Sequence, residues 1–409
     1  MKKNILIGQS GGPTAVINGS LYGVVRQALN HKGEEIGHVY GMINGIEGFL
    51  KDRYMDMETD ISDEEFDALK TTPGAYLGSC RFKLPSDLGD PVYARLFEKF
   101  HKLDIGYIFY IGGNDSMDTV SKLSRCARAH NSDIRIMGIP KTIDNDLVCT
   151  DHTPGFGSAA RFVATSVREI GIDAAIYDTN SVTIVEIMGR HAGWLTGAAA
   201  LARKFKNDNP VFIYLPEVAF DTEAFIRNIR EALEARTNIV VCVSEGIHDA
   251  QGRFICEYEG AAGTDNFGHK MLAGCGKYLE NLIRIRLGIK VRSVELNVSQ
   301  RCSSIRQSAT DLGEAIEAGS YSVEAALRGE TGKMTAFKRT GSKPYSMECE
   351  LVDVDQVCNK EKKVPLEWII NDGTDVSEEF VQYVLPLIQG GVRLPEKNGI
   401  PVFAYRREV

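Results

Sequence analysis

Short apolar runs alternate with amphipathic stretches along most of the chain. Runs at 4–8, 106–111, 134–139, 183–187, 211–217 and 238–246 have the length and composition of buried strands. Between them apolar residues recur at helical spacing, as they do at Ile17, Leu21, Val24, Val25 and Leu29. This alternation predicts an α/β fold with doubly wound domains and mostly parallel sheets.

The length of the chain and its closing segment refine this picture. At 409 residues the chain is long enough for two domains and an extension, at roughly 150 residues per domain. After about residue 345 the pattern changes, since an alternating strand (347–357) is followed by a helical stretch (378–388). We expect this C-terminal extension to pack on the core.

Composition excludes several classes of protein. The net charge is −8, so no overall positive field favours nucleic acid or an anionic membrane as a partner. No apolar run approaches the length of a membrane span, and the N-terminal run is too short for a signal peptide. The nine cysteines show neither CxxC nor Cys/His metal spacing, which is typical of a cytoplasmic protein with free thiols.

The richest cluster of polar residues is PKTIDND, at 140–146. It follows the apolar run at 134–139, so it leaves the carboxyl end of a predicted strand, where open α/β sheets bind ligands. Of Asp144 and Asp146, one could accept a hydroxyl proton while the other holds a metal ion, and Lys141 could offset phosphate charge. The alternative is an ordinary turn, because Asn and Asp are common turn residues.

Two glycine turns follow other predicted strands. SGG at 10–12 contains Gly11 and Gly12, and GGNDS at 112–116 contains Gly113. Backbone N–H groups in such turns can hold phosphate where a helix begins. Alternatively, the glycines could have only a structural role, in allowing the chain to turn. Together with PKTIDND, these turns would converge on one ligand at the edge of a parallel sheet.

Four arginines are candidate anion ligands. Arg81 lies in a loop of small residues, and Arg190 follows the strand at 183–187; a surface charge or a structural ion pair would explain either. Arg292 and Arg301 are nine residues apart, so on one straight strand they would face opposite ways. If both serve one ligand, Arg301 lies past the strand end or on another surface.

The chain carries, in this order, the segments SGGPT, LGSCRF, GGNDS, PKTIDND, MGRHAGW and SEG. This set resembles the phosphofructokinase family, and within it the pyrophosphate-dependent branch, over roughly residues 4–320. The resemblance implies two doubly wound domains with the active site in the cleft between them. The larger, phosphate-donor domain spans 1–157 and is completed by about 300–345, and the smaller, sugar-phosphate domain spans 158–299. Residues 346–409 are then the C-terminal extension.

The resemblance also implies a reaction. Members of the family transfer a phosphoryl group to the 1-hydroxyl of fructose 6-phosphate with Mg²⁺, and the pyrophosphate-dependent branch makes fructose 1,6-bisphosphate and phosphate reversibly, in glycolysis and gluconeogenesis. By motif position Asp144 is the general base, assisted by Lys141, Thr142 and Arg190. Asn114 and Asp146 fall at the metal positions.

Further roles follow from the same resemblance. Donor-binding positions are Gly11, Gly12, Arg81, Gly113, Asp115, Ser116 and Lys141. Sugar-binding positions are Thr142, Asp144, Met188, Gly189, Arg190, Glu245, Arg292 and Arg301. In the family the arginine at the position of Arg292 reaches in from a neighbouring subunit, which implies a homodimer or homotetramer.

Two positions predict the phosphoryl donor. ATP-using relatives have glycine where this chain has Asp115 and Lys141. A carboxylate at 115 would clash with, and repel, the ATP α-phosphate, which pyrophosphate lacks. An ATP-dependent phosphofructokinase is the alternative, and an inactive sugar-phosphate-binding homologue is an alternative of another class.

Four departures from the family pattern qualify these expectations. Asn114 replaces an aspartate near the metal, Val298 replaces a histidine or tyrosine, and Ser181 replaces an arginine. These changes leave open another phosphosugar, such as sedoheptulose 7-phosphate. Tyr22 replaces an arginine of the bacterial effector site, so we expect no control by ADP or phosphoenolpyruvate.

Overall fold

The computed structural model describes residues 2–176, 178–205, 207–258 and 274–406, which form strands and helices in near-alternation along the chain. The strands are β1 (Lys3–Gln9), β2 (Ile36–Met42), β3 (Tyr54–Asp56), β4 (Ile105–Gly112), β5 (Arg135–Pro140), β6 (Ser181–Ile187), β7 (Phe212–Tyr214), β8 (Asn238–Ser244), β9 (Lys290–Glu295), β10 (Lys333–Ser342), β11 (Tyr345–Asp353), β12 (Ile369–Ile370), β13 (Asp375–Val376), β14 (Glu396–Lys397) and β15 (Ile400–Pro401).

The α-helices of the described residues are α1 (Ile17–Asn30), α2 (Gly45–Leu50), α3 (Asp63–Leu69), α4 (Pro91–Lys102), α5 (Asn114–Ala129), α6 (Phe156–Ala174), α7 (Trp194–Gly197), α8 (Thr222–Ala235), α9 (Cys275–Leu287), α10 (Ser299–Cys302), α11 (Ala309–Leu327), α12 (Val354–Val357) and α13 (Glu378–Val384). Short 3₁₀ turns lie at Ala198–Ala202, Ile255–Tyr258, Ser304–Arg306, Leu366–Trp368 and Leu385–Ile388. None of the described helices combines the length and the apolar character needed to cross a membrane.

Two sheets organise the molecule. The larger has seven strands in the order β11-β10-β5-β4-β1-β2-β3, parallel from β10 through β2, with antiparallel strands β11 and β3 at its edges. The smaller has four parallel strands in the order β7-β8-β6-β9. This arrangement confirms the prediction of an α/β fold with mostly parallel sheets.

Burial explains why the central strands form. In β1, β4, β5, β6 and β8 nearly every residue is buried, which is expected of parallel strands covered by helices on both faces. The apolar face of α1 packs on one face of the larger sheet, and that of α4 on the other. The carboxyl ends of these strands are therefore fixed by a rigid core.

Two predicted elements differ from the structure. The apolar residues after position 192 predict a helix that runs on through LTGAAALARKF, but the structure has the four-residue α7 followed by a 3₁₀ turn. Gly197 packs there against the ring of Phe380, which a Cβ would approach to 2.5 Å. Tertiary packing overrides the helix propensity of the alanine run. A helical pattern at 267–287 is helical as α9 from Cys275 onward, and 259–273 lie outside the described residues.

The C-terminal extension does more than pack on the core. Its first residues form β11, which pairs with β10 and lengthens the larger sheet by one antiparallel edge strand. The alternating strand pattern read at 347–357 ends at Asp353, because Val354–Val357 turn into the short helix α12.

A buried polar network joins the extension to the larger sheet. The His152 ring contacts Asp151 (2.8 Å) and Glu314 (2.7 Å), while Arg339 and Tyr345 contact the same two carboxylates. Burial alone would lower the pKa of His152, but its hydrogen bonds with Asp151 and Glu314 outweigh burial and raise it. The protonated imidazole therefore stabilises the fold, and this contribution is lost as pH rises through the raised pKa.

We expect His152→Gln to lower the free energy of unfolding by about 3 kcal/mol near pH 6, because it leaves the buried carboxylate of Glu314 without its cation. The loss should shrink towards pH 9, where the wild-type imidazole is also neutral. Urea denaturation at both pH values measures this difference. His38→Gln is the control, since His38 makes a comparable contact with Asp56 (3.1 Å) but is exposed. An equal loss at both pH values would contradict the assignment.

Candidate active site

The carboxyl ends of both sheets face a common cleft. Its cavity has a volume of about 740 Å³ and lies where β1, β4 and β5 of the larger sheet end opposite β6 and β8 of the smaller one. Side chains and turns from all five strand ends line it: Ser10, Gly11, Gly12, Pro13, Cys80, Arg81, Phe82, Lys83, Gly113, Asn114, Asp115, Ser116, Lys141, Thr142, Ile143, Asp144, Asp146, Met188, Arg190, His191, Glu245, Arg301, Asn359 and Glu361.

The turn after β5 places the PKTIDND residues in the middle of this cleft. Lys141 is buried, and its Nζ donates to the Gly12 carbonyl at 2.6 Å. The backbone N–H of Asp144 donates to Thr142 Oγ1 at 3.1 Å, which closes a tight turn. Asn145 has a left-handed conformation with φ of 54°, so the chain reverses between Asp144 and Asp146.

Desolvation dominates the electrostatics of this turn. Burial lowers the pKa of Lys141 to about 8, although Asp144 and Asp146 act in the opposite direction. Burial raises the pKa of Asp144, and Lys141 and Arg190 partly oppose this. Burial and the nearby charge of Asp144 raise the pKa of Asp146 to about 7. A carboxyl with a raised pKa in a cleft is a typical general base.

The glycine turn after β1 forms one wall of the cleft. Gly11 has φ of 78°, and a Cβ there would lie 3.2 Å from Lys141 Nζ. A Cβ on Gly12 would lie 3.3 Å from Arg301 Nη1. Both positions therefore need glycine for close approach to cationic groups. The helix α1 begins only at Ile17, so this turn does not open the helix directly.

The turn after β4 does open a helix. Gly113 is the N-cap of α5, so Asn114, Asp115 and Ser116 form the first helical turn. The exposed Asp115 lies near Lys83, with 3.7 Å between Oδ1 and Nζ. The Asn114 amide is already engaged, since Oδ1 accepts from the N–H of Asn359 (2.5 Å) and Nδ2 donates to the carbonyl of Lys360 (2.5 Å). Its role as a metal ligand stays a prediction.

The smaller sheet contributes the opposite wall. The N–H of Gly189 donates to Glu245 Oε1 at 3.4 Å, and the N–H of Met188 donates to Gln300 Oε1 at 3.2 Å. Burial is the main reason that the pKa of Glu245 is raised to about 7, and the charge of Asp144 adds to this shift. A Cβ on Gly246 would lie 1.9 Å from the Arg190 carbonyl, so only glycine allows the two strand ends to meet.

The two arginines nine residues apart lie in different places. Arg301 is in α10, beyond the end of β9, and lines the cleft. Arg292 is an exposed residue of β9 and contacts Asp173 at 3.8 Å. It does not line the cleft of its own chain, as far as the described residues show.

Sequence reasoning missed several residues of the cleft. Lys83 lies close in sequence to Arg81, so proximity to a motif was its only signal. Asn359 and Glu361 come from the C-terminal extension, far from any motif, and no sequence pattern marks them.

The donor set of the cleft suits a divalent cation. Asp144, Asp146 and Glu245 are part-buried carboxyls, and the charge of Asp144 raises the pKa of both others. The charge of Glu361 also raises the pKa of Asp146. Such a set has the oxygen ligands that Mg²⁺ prefers, and a bound cation would relieve the repulsion.

Comparisons with known proteins agree with this geometry. The family model described as phosphofructokinase matches residues 4–326. A Halomonas elongata protein named pyrophosphate–fructose 6-phosphate 1-phosphotransferase is 39% identical over 404 residues, covering 98% of this chain and 95% of the relative. A Xanthomonas campestris protein of the same name is 40% identical over 410 residues, covering 99% of this chain and 96% of the relative.

A solved structure gives the same result in three dimensions. The pyrophosphate-dependent phosphofructokinase from Marinobacter aquaeolei superposes with a TM-score of 0.89 at 36% identity, covering 100% of this chain and 97% of that one. The match extends through the C-terminal extension, beyond the residues that the family model covers. This chain belongs to the phosphofructokinase family.

Proposed function

We propose that this protein transfers a phosphoryl group from pyrophosphate to the 1-hydroxyl of fructose 6-phosphate, giving fructose 1,6-bisphosphate and phosphate. The observation that carries the proposal is the meeting of Lys141, Asp144 and Arg190 in one cleft. Near-full-length relatives named for this reaction support it. The reaction belongs to glycolysis and gluconeogenesis, and the nine free cysteines are consistent with a cytoplasmic location.

In the proposed mechanism Asp144 accepts the proton of the sugar 1-hydroxyl. The hydroxyl oxygen forms a bond to one phosphorus of pyrophosphate as the bridging P–O bond breaks and phosphate leaves. Lys141 and Arg190 offset the charge of the transferring group, and their charges favour the ionised form of Asp144 against the larger effect of burial. In the reverse direction the protonated Asp144 returns the proton to the sugar oxygen.

The metal and sugar sites complete the proposal. Asp146, with Asn114 beside it, would hold Mg²⁺, which when bound neutralises the charge of the donor phosphates. Gly11, Gly12, Arg81, Gly113, Asp115 and Ser116 would hold the donor, because they line the cleft on the side of the larger sheet. On the other side Thr142, Met188, Gly189, Glu245 and Arg301 would hold the sugar phosphate.

Pyrophosphate is the proposed donor because of two side chains. Lys141 is buried beside the Gly11–Gly12 turn, where it can contact a phosphate oxygen. Asp115 projects from the first turn of α5, where it would clash with the further groups of ATP. Lys83 partly offsets the charge of Asp115. The bulk of Asp115 therefore excludes ATP more than its charge repels the ATP phosphates.

The proposed assembly is a homodimer or homotetramer. Arg292 lies outside the cleft of its own chain, so a role in sugar-phosphate binding requires the site of a neighbouring copy. Large apolar side chains are exposed close to Arg292 in sequence or in space: Ile172 and Ile176 flank its partner Asp173, and Ile285 lies near the end of α9. An interface between copies would cover them.

The direct test measures fructose 1,6-bisphosphate formed from fructose 6-phosphate and Mg²⁺ with either pyrophosphate or ATP. We expect turnover with pyrophosphate and little with ATP, for the steric reason above. A reaction without donor is the control. Turnover with ATP alone would overturn the donor assignment, and no turnover with either would overturn the proposed reaction.

Asp144→Asn should lower kcat by about 10³-fold, because the amide cannot accept the hydroxyl proton. In the wild type, kcat should fall at acid pH as Asp144 is protonated, and this fall begins at a higher pH than for an ordinary aspartate because its pKa is raised. Steady-state rates against pH measure both effects. Asp133→Asn, exposed before the other end of β5, should leave kcat unchanged. A fully active Asp144→Asn variant would exclude Asp144 as the base.

The double substitution Asp115→Gly and Lys141→Gly should shift donor preference towards ATP. It removes the carboxylate that blocks the longer donor and the ammonium that contacts pyrophosphate. The ratio of kcat/KM for ATP to kcat/KM for pyrophosphate measures the change. The two single variants are the controls, because each shows how much one substitution contributes to the change in this ratio. An unchanged ratio in a folded double variant would show that other residues select the donor.

A further inference from the structure

The residues that follow α12 cross the cleft from one sheet to the other. We call residues 359–364 the cross-cleft segment. They lie beyond residues 4–326, to which the family model applies, and two of them line the cavity. The contacts of this segment at both ends and in its middle define what it does.

One end is fixed to the larger sheet through α5. Both polar atoms of the Asn114 amide bind the backbone of Asn359 and Lys360, as described above. Asn359 adopts a left-handed conformation with φ of 61° and its own amide reaches Asp118 Oδ1 at 3.5 Å. An aspartate at position 114 could not donate to the Lys360 carbonyl, so the asparagine suits this attachment.

The other end is fixed to the smaller sheet. The indole N–H of Trp194 donates to the Lys362 carbonyl at 3.0 Å. Glu217 Oε1 accepts from the backbone N–H of Val364 (3.0 Å) and of Gly193 (2.8 Å), and Val364 is buried in the core around Trp194. Because Gly193 and Trp194 end the MGRHAGW motif, this attachment also fixes the motif that carries Arg190.

The middle of the segment holds the catalytic turn from behind. The backbone N–H of Lys362 donates to the Asp146 carbonyl at 2.7 Å. Its Nζ donates to the carbonyls of Asp151 (2.7 Å) and Thr150 (3.2 Å) and to Asn145 Oδ1 at 3.4 Å. The three N–H groups of the ammonium therefore have three acceptors, all on the chain that follows Asp144.

Lys362 also contacts the aromatic cluster behind the smaller wall. Its Nζ lies 5.2 Å from the centre of the Trp194 ring, close enough for a cation–π interaction. Asn145, between the two catalytic carboxylates, is held from one side by Lys362 and from the other by the hydroxyl of Tyr383 (2.9 Å). One lysine thus contacts both motifs that carry the proposed chemistry.

We propose that Lys362 is a positioning residue, which fixes the turn carrying Asp144 and Asp146 against the MGRHAGW motif without touching either substrate. The inference rests on the proposed function. A side chain that binds Asn145 within the turn and the carbonyls of Thr150 and Asp151 just after it limits the movement of the turn. A displacement of about 1 Å in a reacting group can cost about 10²-fold in rate. Substrate binding depends on the cleft walls, which Lys362 does not line.

The test compares Lys362→Met with Lys363→Met. Methionine keeps the apolar stem of the lysine and removes its donors, and Lys363 is an exposed neighbour of the same residue type. We expect Lys362→Met to lower kcat by about 10²-fold while KM for fructose 6-phosphate and for pyrophosphate stays within about threefold. Lys363→Met should leave both unchanged.

Tryptophan fluorescence supplies a readout independent of activity. The chain has two tryptophans, Trp194 and Trp368, whose rings lie 6.2 Å apart in one cluster. Removing the ammonium above Trp194 should shift the emission maximum of Lys362→Met, and Lys363→Met should give the wild-type spectrum. Should Lys362→Met fail to fold, Lys362→Gln, which retains a shorter donor, takes its place with the same expectations.

Three results would overturn the inference. A kcat within twofold of wild type, with shifted fluorescence, would show that the contact is structural only. A raised KM with unchanged kcat would place Lys362 in substrate binding instead. An unshifted spectrum would show that Lys362 does not lie on Trp194. If the wild type itself fails to turn over pyrophosphate and fructose 6-phosphate, the proposed function fails, and that result is distinct from all three.

Discussion

The cost of removing charge from water is the constraint on which this structure depends. Asp144, Asp146, Glu245 and Lys141 meet in one cleft, and burial is the largest influence on the pKa of each. Without close, well-directed partners these groups would become neutral. The rest of the site supplies such partners: the Gly12 carbonyl accepts from Lys141, and the Gly189 N–H donates to the Glu245 carboxylate. Arg190 and Arg301 offset part of the negative charge of Asp144.

Two rigid sheets make this balance possible. The turns at 10–12, 112–116 and 140–146 each begin where a buried parallel strand ends, so a close-packed core sets their backbone. Gly246 lets the ends of β8 and β6 approach more closely than any side chain would allow. The cross-cleft segment then joins the two walls directly, through Asn114 on one side and Trp194 on the other.

The sequence predicted the fold and most of the cleft because the relevant signals are local. Asp144 and Asp146 follow an apolar strand directly, and the same holds for the turns at 10–12, 112–116 and 188–190. The remaining contacts join residues far apart in the chain. Asn359 meets Asn114 across 245 positions, and His152 meets Glu314 across 162, so only the packed structure could show them. Local patterns also misjudged the alanine run after Trp194, where packing against Phe380 decides the conformation.

The place of Lys362 in the chain has a consequence for how the protein is made. Synthesis proceeds from the N-terminus, so the turn with Asp144 leaves the ribosome about 200 residues before the lysine that holds it. Strands β10 and β11, which complete one edge of the larger sheet, are also late. The nascent chain therefore carries almost every recognisable motif before it can have a finished site. If Lys362 has the role inferred above, the site is complete only after the cross-cleft segment has folded onto strands that were made long before it.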